Sequence, residues 1–79
     1  MLIGHGYLTN LTGFDGCGWV IQLYYKEPSG NERFEPININ KFNVPLIEGQ
    51  KVTFGYKVKD LYSVCMVGAI IELEYIKIQ

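Results

Sequence analysis

The residues able to do chemistry in this 79-residue chain are few, and they are scattered. His5 is the sole histidine. It has the chemistry of a general base, but a lone histidine on a first strand is more often a structural or surface residue. The serines, Ser29 in a turn and Ser63 near Cys65, sit in no nucleophile-elbow pattern, so nothing in the spacing supports a Ser–His–Asp set. Cys17 and Cys65 stand far apart in the chain with no C-x-x-C spacing. A reactive cysteine needs a basic, partly exposed setting. Cys17 lies between glycines beside Trp19 and Cys65 lies between Val64 and Met66, so structural roles are preferred for both. Zinc would require His5, the two cysteines and distant carboxylates to converge, which no local spacing announces. Gly13, Gly16 and Gly18 suit a turn better than a phosphate cradle, and no G-x-x-x-x-G-K run is present. The expectation is therefore a non-enzymatic domain with no catalytic residue, no metal and no cofactor.

The aromatics offer more. Tyr24 on the outer face of a strand, with Tyr7 or Phe34 nearby, has the makings of a stacking platform for a sugar, a protein or a base. The competing reading spends these rings on a thin core. Net charge is −1 and Lys and Arg are not clustered, so the basic footprint of a nucleic-acid binder is missing. No apolar stretch approaches the roughly 20 residues of a membrane-spanning helix. The start carries no basic region followed by an apolar one, so no signal peptide is expected in the chain as it stands. A mature fragment would read the same.

Composition is globular, with 48% hydrophobic and 19% charged residues, and the 14% aromatic share suits strands. The length makes residues 1–79 one domain with a thin core, so a staple or a partner would help it, and self-association through an edge or apolar patch is open. The two cysteines are either inert buried thiols or one disulfide. Spacing leaves both readings open, and a bridge would contribute about 4 kcal/mol through loop closure and imply an oxidising compartment.

Alternation places five strands, with a sixth allowed. The first runs from Leu2 to Thr9, with Leu2, Gly4, Gly6 and Leu8 on one face. Asn10-Leu11-Thr12 after it is formally a glycosylation sequon. A turn through Gly13-Phe14-Asp15-Gly16 leads into the second strand, Cys17 to Tyr25, whose odd positions form the expected core row. Glu27-Pro28-Ser29-Gly30-Asn31 makes a hairpin turn to a third, antiparallel strand over Glu32 to Ile37, ended by Pro36. Residues 38–49 read as an ordered loop with a helical turn around Asn40 to Asn43. The fourth strand alternates cleanly, Val52, Phe54, Tyr56 and Val58 against Lys51, Thr53, Gly55, Lys57 and Lys59. The last strand runs from Val64 to Gln79, bent or bulged at Gly68, and its phase shifts at Tyr75-Ile76. A register setting Phe54 opposite Ile71, Val52 opposite Leu73 and Lys51 opposite Glu74 brings the apolar rows together. Short turns and the need to hide edges predict an all-β, OB-like barrel, with an SH3-like barrel or small sandwich as the alternative.

Asp15-Gly16-Cys17-Gly18-Trp19, Phe34-Glu35-Pro36-Ile37-Asn38 and Ser63-Val64-Cys65-Met66, followed by Gly68 and an Ile-Glu-Leu stretch, occur in that order. Together they resemble a group of small, largely uncharacterised β-barrel domains of Bacteroidetes-type bacteria, often found behind lipoprotein signals. The resemblance implies a periplasmic or cell-surface location and a Cys17–Cys65 disulfide, with a cytoplasmic place left open. It implies no activity. The resulting expectation is an accessory domain that binds a protein or glycan partner, with OB-type single-stranded nucleic-acid binding as the alternative.

Overall fold

The computed structural model describes residues 1–13, 17–62 and 65–79. The expected turn through Phe14, Asp15 and Gly16, and the positions of Ser63 and Val64, lie outside the described residues. The strands are β1 (Leu2–Asn10), β2 (Trp19–Leu23), β3 (Arg33–Pro36), β4 (Lys51–Lys59) and β5 (Ala69–Ile78), with one 3-10 turn at Ile39–Lys41. They close into a barrel in the order β1-β2-β3-β5-β4. Every pairing is antiparallel except β3 with β5, which is parallel. Because β4 inserts between β5 and β1, the chain is not a simple meander, and this crossover makes the closed barrel OB-like.

β1 links the two halves of the barrel. Leu2 to Tyr7 pair with Tyr56 to Lys51 of β4, and Gly6 to Asn10 pair with Leu23 to Trp19 of β2. A strand serving both sides must carry little bulk on its inner face. A Cβ on Gly4 would run into the Phe54 ring, so the glycine leaves the space that Phe54 fills. The core consists of Leu8, Ile21, Leu23, Phe34, Ile39, Val52, Phe54, Tyr56, Ile71 and Leu73, with Trp19, Phe42 and Val44 packed against it. Phe34, Phe54 and Tyr56 meet ring to ring, with centroids 4.8 to 6.2 Å apart. Residues 38–49 cap one end through Ile39, Phe42 and Val44, and the helical turn falls slightly earlier than expected.

Several expectations are corrected. β2 spans only Trp19–Leu23, and Tyr25, placed in the core row, is 86% exposed beyond its end. Val58 is also exposed, where β4 has run past its last partner on β1, the Leu2–Tyr56 pair. The last strand starts at Ala69 rather than Val64. Its register is different too: Val52 faces Ile78, Phe54 faces Ile76 and Tyr56 faces Leu73, so Lys51 does not oppose Glu74. The apolar faces match as expected, but the strand is slid along. The cause is a bulge. Gly55 pairs with Tyr75 and Tyr56 with Leu73, which makes Glu74 the extra residue and explains the phase shift at Tyr75-Ile76.

Asn38 does work that the loop reading missed. Its side-chain amide donates to the Leu73 carbonyl at 3.0 Å and its oxygen accepts from the Leu73 N–H at 2.8 Å. Coming just after the Ile37 N–H bond to the Ile71 carbonyl, this extends the β3–β5 pairing by one side chain.

Candidate binding face and barrel mouth

A disulfide joins Cys17 to Cys65, with Cα atoms 4.7 Å apart. It settles the open question about the two cysteines and staples the β1–β2 connection to the β4–β5 connection. Val20 and Ile70 are both buried although Ile21 and Ile71 already face the interior. Each is the second residue of a strand entered from a stapled connection. The even row of β2 is consequently less exposed than alternation alone suggests.

Elsewhere on the outer face, the register sets Tyr7 beside Gln22 and Gln22 beside Arg33. Leu8 and Gly6 turn inward, which directs Tyr7 outward. Tyr24, just past β2, is 42% exposed, and its ring centroid lies 5.9 Å from that of Tyr7 at a 44° tilt. The Tyr24 N–H donates to the His5 carbonyl at 3.4 Å. Arg33 Nε donates to Gln22 Oε1 at 2.8 Å, and Gln22 Nε2 donates to the Glu32 carbonyl at 3.1 Å. This polar pair stands beside Tyr7 in the register. Phe34, the third ring expected on this surface, is only 1% exposed and belongs to the core, because β3 turns its Phe34 and Pro36 positions inward.

Beyond His5 the face runs into a pocket of about 200 Å³ at the barrel mouth, with His5, Tyr25, Lys26, Glu27, Phe34 and Tyr56 among its lining residues. Sequence reasoning did not find it. Its members come from separate elements, and only the exposed aromatic Tyr25 next to a charged turn signalled it. Glu27 sits at the hairpin turn, where Asn31 donates to its Oε1 from the side chain at 2.7 Å and from the backbone at 3.1 Å. The Asn31 side-chain bond, with the Asn31 backbone bond after it, holds the Glu27 carboxyl below its usual pKa. Burial first, and then the Glu27 charge, push the Tyr56 phenol upward. Lys26 turns to Glu32 at 3.6 Å.

His5 Nδ1 lies 3.1 Å from Thr53 Oγ1, and Thr53 also contacts the Gln79 amide. Ser29 is exposed in the hairpin turn, far along the chain from His5. Among the described residues no three His, Cys, Asp or Glu side chains gather where they could hold a metal ion. No helix among the described residues is long and apolar enough to cross a membrane.

Comparison with protein-family models, with curated proteins and with solved structures returned no match.

Proposed function

We propose that this domain is a non-enzymatic binding module that recognises its partner through the outer face carrying Tyr7 and Tyr24. The observation that carries the reading is the pair of half-exposed tyrosine rings 5.9 Å apart, with the Gln22–Arg33 hydrogen-bonded pair beside them. Aromatic faces next to planar hydrogen-bonding groups suit a sugar ring, which offers C–H faces and equatorial hydroxyls together. A glycan is therefore the preferred partner and a protein surface the next. The fold class adds analogy only, since OB-like barrels use this face and the two connections stapled here for oligosaccharides and oligonucleotides. The disulfide favours an oxidising place of work, in keeping with an exported domain.

The test is an NMR titration with neutral oligosaccharides. Amide shifts should move at Tyr7, Gln22, Tyr24 and Arg33, and Tyr24→Ala should weaken binding about tenfold, the upper part of the range for an aromatic contact. Nucleic acid is the second reading, favoured by Arg33 beside stacking rings and opposed by the net charge of −1. A firm, salt-sensitive complex with single-stranded DNA and no response to glycans would reverse the ranking.

A further inference from the structure

We propose that the Tyr7–Tyr24 face takes an acidic glycan whose uronate carboxylates are held by Arg33, Lys51 and Lys77, a proposal that rests on the reading of this face as a glycan site. Two neighbouring rows of side chains cross the outer surface of the sheet. In one, the register runs Arg33, Gln22, Tyr7, Lys51, from β3 through β2 and β1 to β4. In the other, the Tyr24 N–H bonds to the His5 carbonyl, His5 pairs with Thr53, and Thr53 pairs with Lys77 on β5. Leu8, Ile21, Phe34, Val52 and Phe54 at the intervening positions are buried, and Ile76 packs against the core, so alternation turns both rows to solvent. These rows hold three of the chain's seven Lys and Arg residues and none of its eight Asp and Glu residues. A chain of net charge −1 therefore presents a positive strip here. Among the described residues, the ion pairs Lys26–Glu32 and Lys59–Glu72 draw on other lysines.

Placement then selects the anion. Lys51 and Lys77 are diagonal neighbours on β4 and β5, a Cβ separation of about 7–8 Å that long side chains span, so one carboxylate beside Tyr7 is within reach of both. At the opposite end, Arg33 Nε donates to Gln22 Oε1 at 2.8 Å, which orients the guanidinium and leaves its terminal amino groups for a second, planar carboxylate. The two ends are three interstrand steps apart, roughly 14 Å. Between them lie the tyrosine rings, Gln22 and the His5–Thr53 contact at 3.1 Å, which offer ring faces and hydroxyl partners. Charge at both ends with rings between matches a glycan whose carboxylates are separated by uncharged sugar faces. A nucleic acid carries a phosphate at every nucleotide and calls for a longer basic track than three side chains supply.

The experiment titrates the intact, oxidised domain with hexasaccharides of galacturonan and of hyaluronan, with the methyl ester of each as its uncharged match, and with short single-stranded DNA. Amide signals of Tyr7, Tyr24, Lys51 and Lys77 report occupancy. At least one acid should bind saturably, about tenfold more tightly than its ester at low salt, and should lose that margin as salt is raised. Replacing both exposed lysines, Lys51→Gln with Lys77→Gln, should abolish the margin of the acid over its ester. Acid and ester binding equally at Tyr7 and Tyr24 overturns the proposal while the glycan reading stands. No saturable binding of any of the four sugars removes that reading and the proposal with it. DNA binding more tightly than both acids assigns the face to nucleic acid and also overturns the proposal. So does an undiminished margin in the double variant, its spectrum showing the native fold.

Discussion

Reducing the Cys17–Cys65 bond should cost this domain most of its stability. The bridge spans a sequence separation of 48. In the chain-entropy treatment, a closed loop of that length removes about 14 cal/mol/K from the unfolded ensemble, or about 4 kcal/mol at room temperature. A domain of this size holds 5–15 kcal/mol at best, and small thin-cored ones lie near the bottom of that range. The corresponding fall in Tm is about 15–30 °C. The assay is urea unfolding of the oxidised protein, the same protein in reductant and the Cys17→Ala/Cys65→Ala variant, with intact mass confirming the redox state. The reduced protein should show a lower midpoint and a steeper dependence on urea, because a chain without the crosslink exposes more surface when it unfolds. Native-state exchange should rise first at Val20 and Ile70, the buried residues next to the stapled connections. A stability difference below about 1 kcal/mol would refute the reasoning, since the two connections would then be held together without the bond.

Asn38→Ala should destabilise the barrel by about 2 kcal/mol, because it strands both polar groups of Leu73, and the Leu73 amide should lose exchange protection. Gly68→Ala drives a Cβ into the Arg33 carbonyl at the entry to the parallel β3–β5 pairing, and about 1–3 kcal/mol of lost stability should appear in a urea midpoint. The Glu27 pKa is lowered in the folded chain, so its contribution to the hairpin is present above the ordinary glutamate range and is lost as pH falls through the folded value. The Asn31 side-chain amide signals should report that loss in an acid titration. Tyr56 moves the other way. Its folded pKa lies above 10.0, so stability should be full below that pH and decline as pH rises past it, with tyrosinate absorbance following the unfolding.

Much of the barrel was legible because one face of each long strand must stay dry. Val52, Phe54 and Tyr56 against Lys51, Thr53 and Lys57 mark β4 without ambiguity, and Pro36 ends β3 where it should. The β4–β5 register was not legible. A bulge leaves the in–out alternation intact on either side of itself, and only the residue count across it changes. Glu74 therefore reads as an ordinary outward position until its partners are seen. Tyr25 and Phe34 were exchanged for a related reason. Alternation tells which way a side chain points but not where the ladder stops, so a ring two residues beyond β2 looked interior and a ring within β3 looked available. The Tyr7–Tyr24 contact could be anticipated from face assignment alone. The mouth pocket could not, because it depends on a turn and four strands converging at one rim.

The parallel contact between β3 and β5 bears on how quickly the chain reaches its native state. β5 closes the barrel by joining β3 on one side and β4 on the other, while β4 must also find β1 across the intervening strands. The β1–β2, β2–β3 and β4–β5 pairings join neighbours in the chain through compact connections, and the β1–β4 and β3–β5 seams are closures of long loops. Such topologies fold in the millisecond-to-second range rather than in microseconds. During synthesis the first three strands emerge as a sheet with bare edges, and they remain so until β4 and β5 follow. The interval before closure is thus the period in which this domain is most exposed to edge-to-edge aggregation.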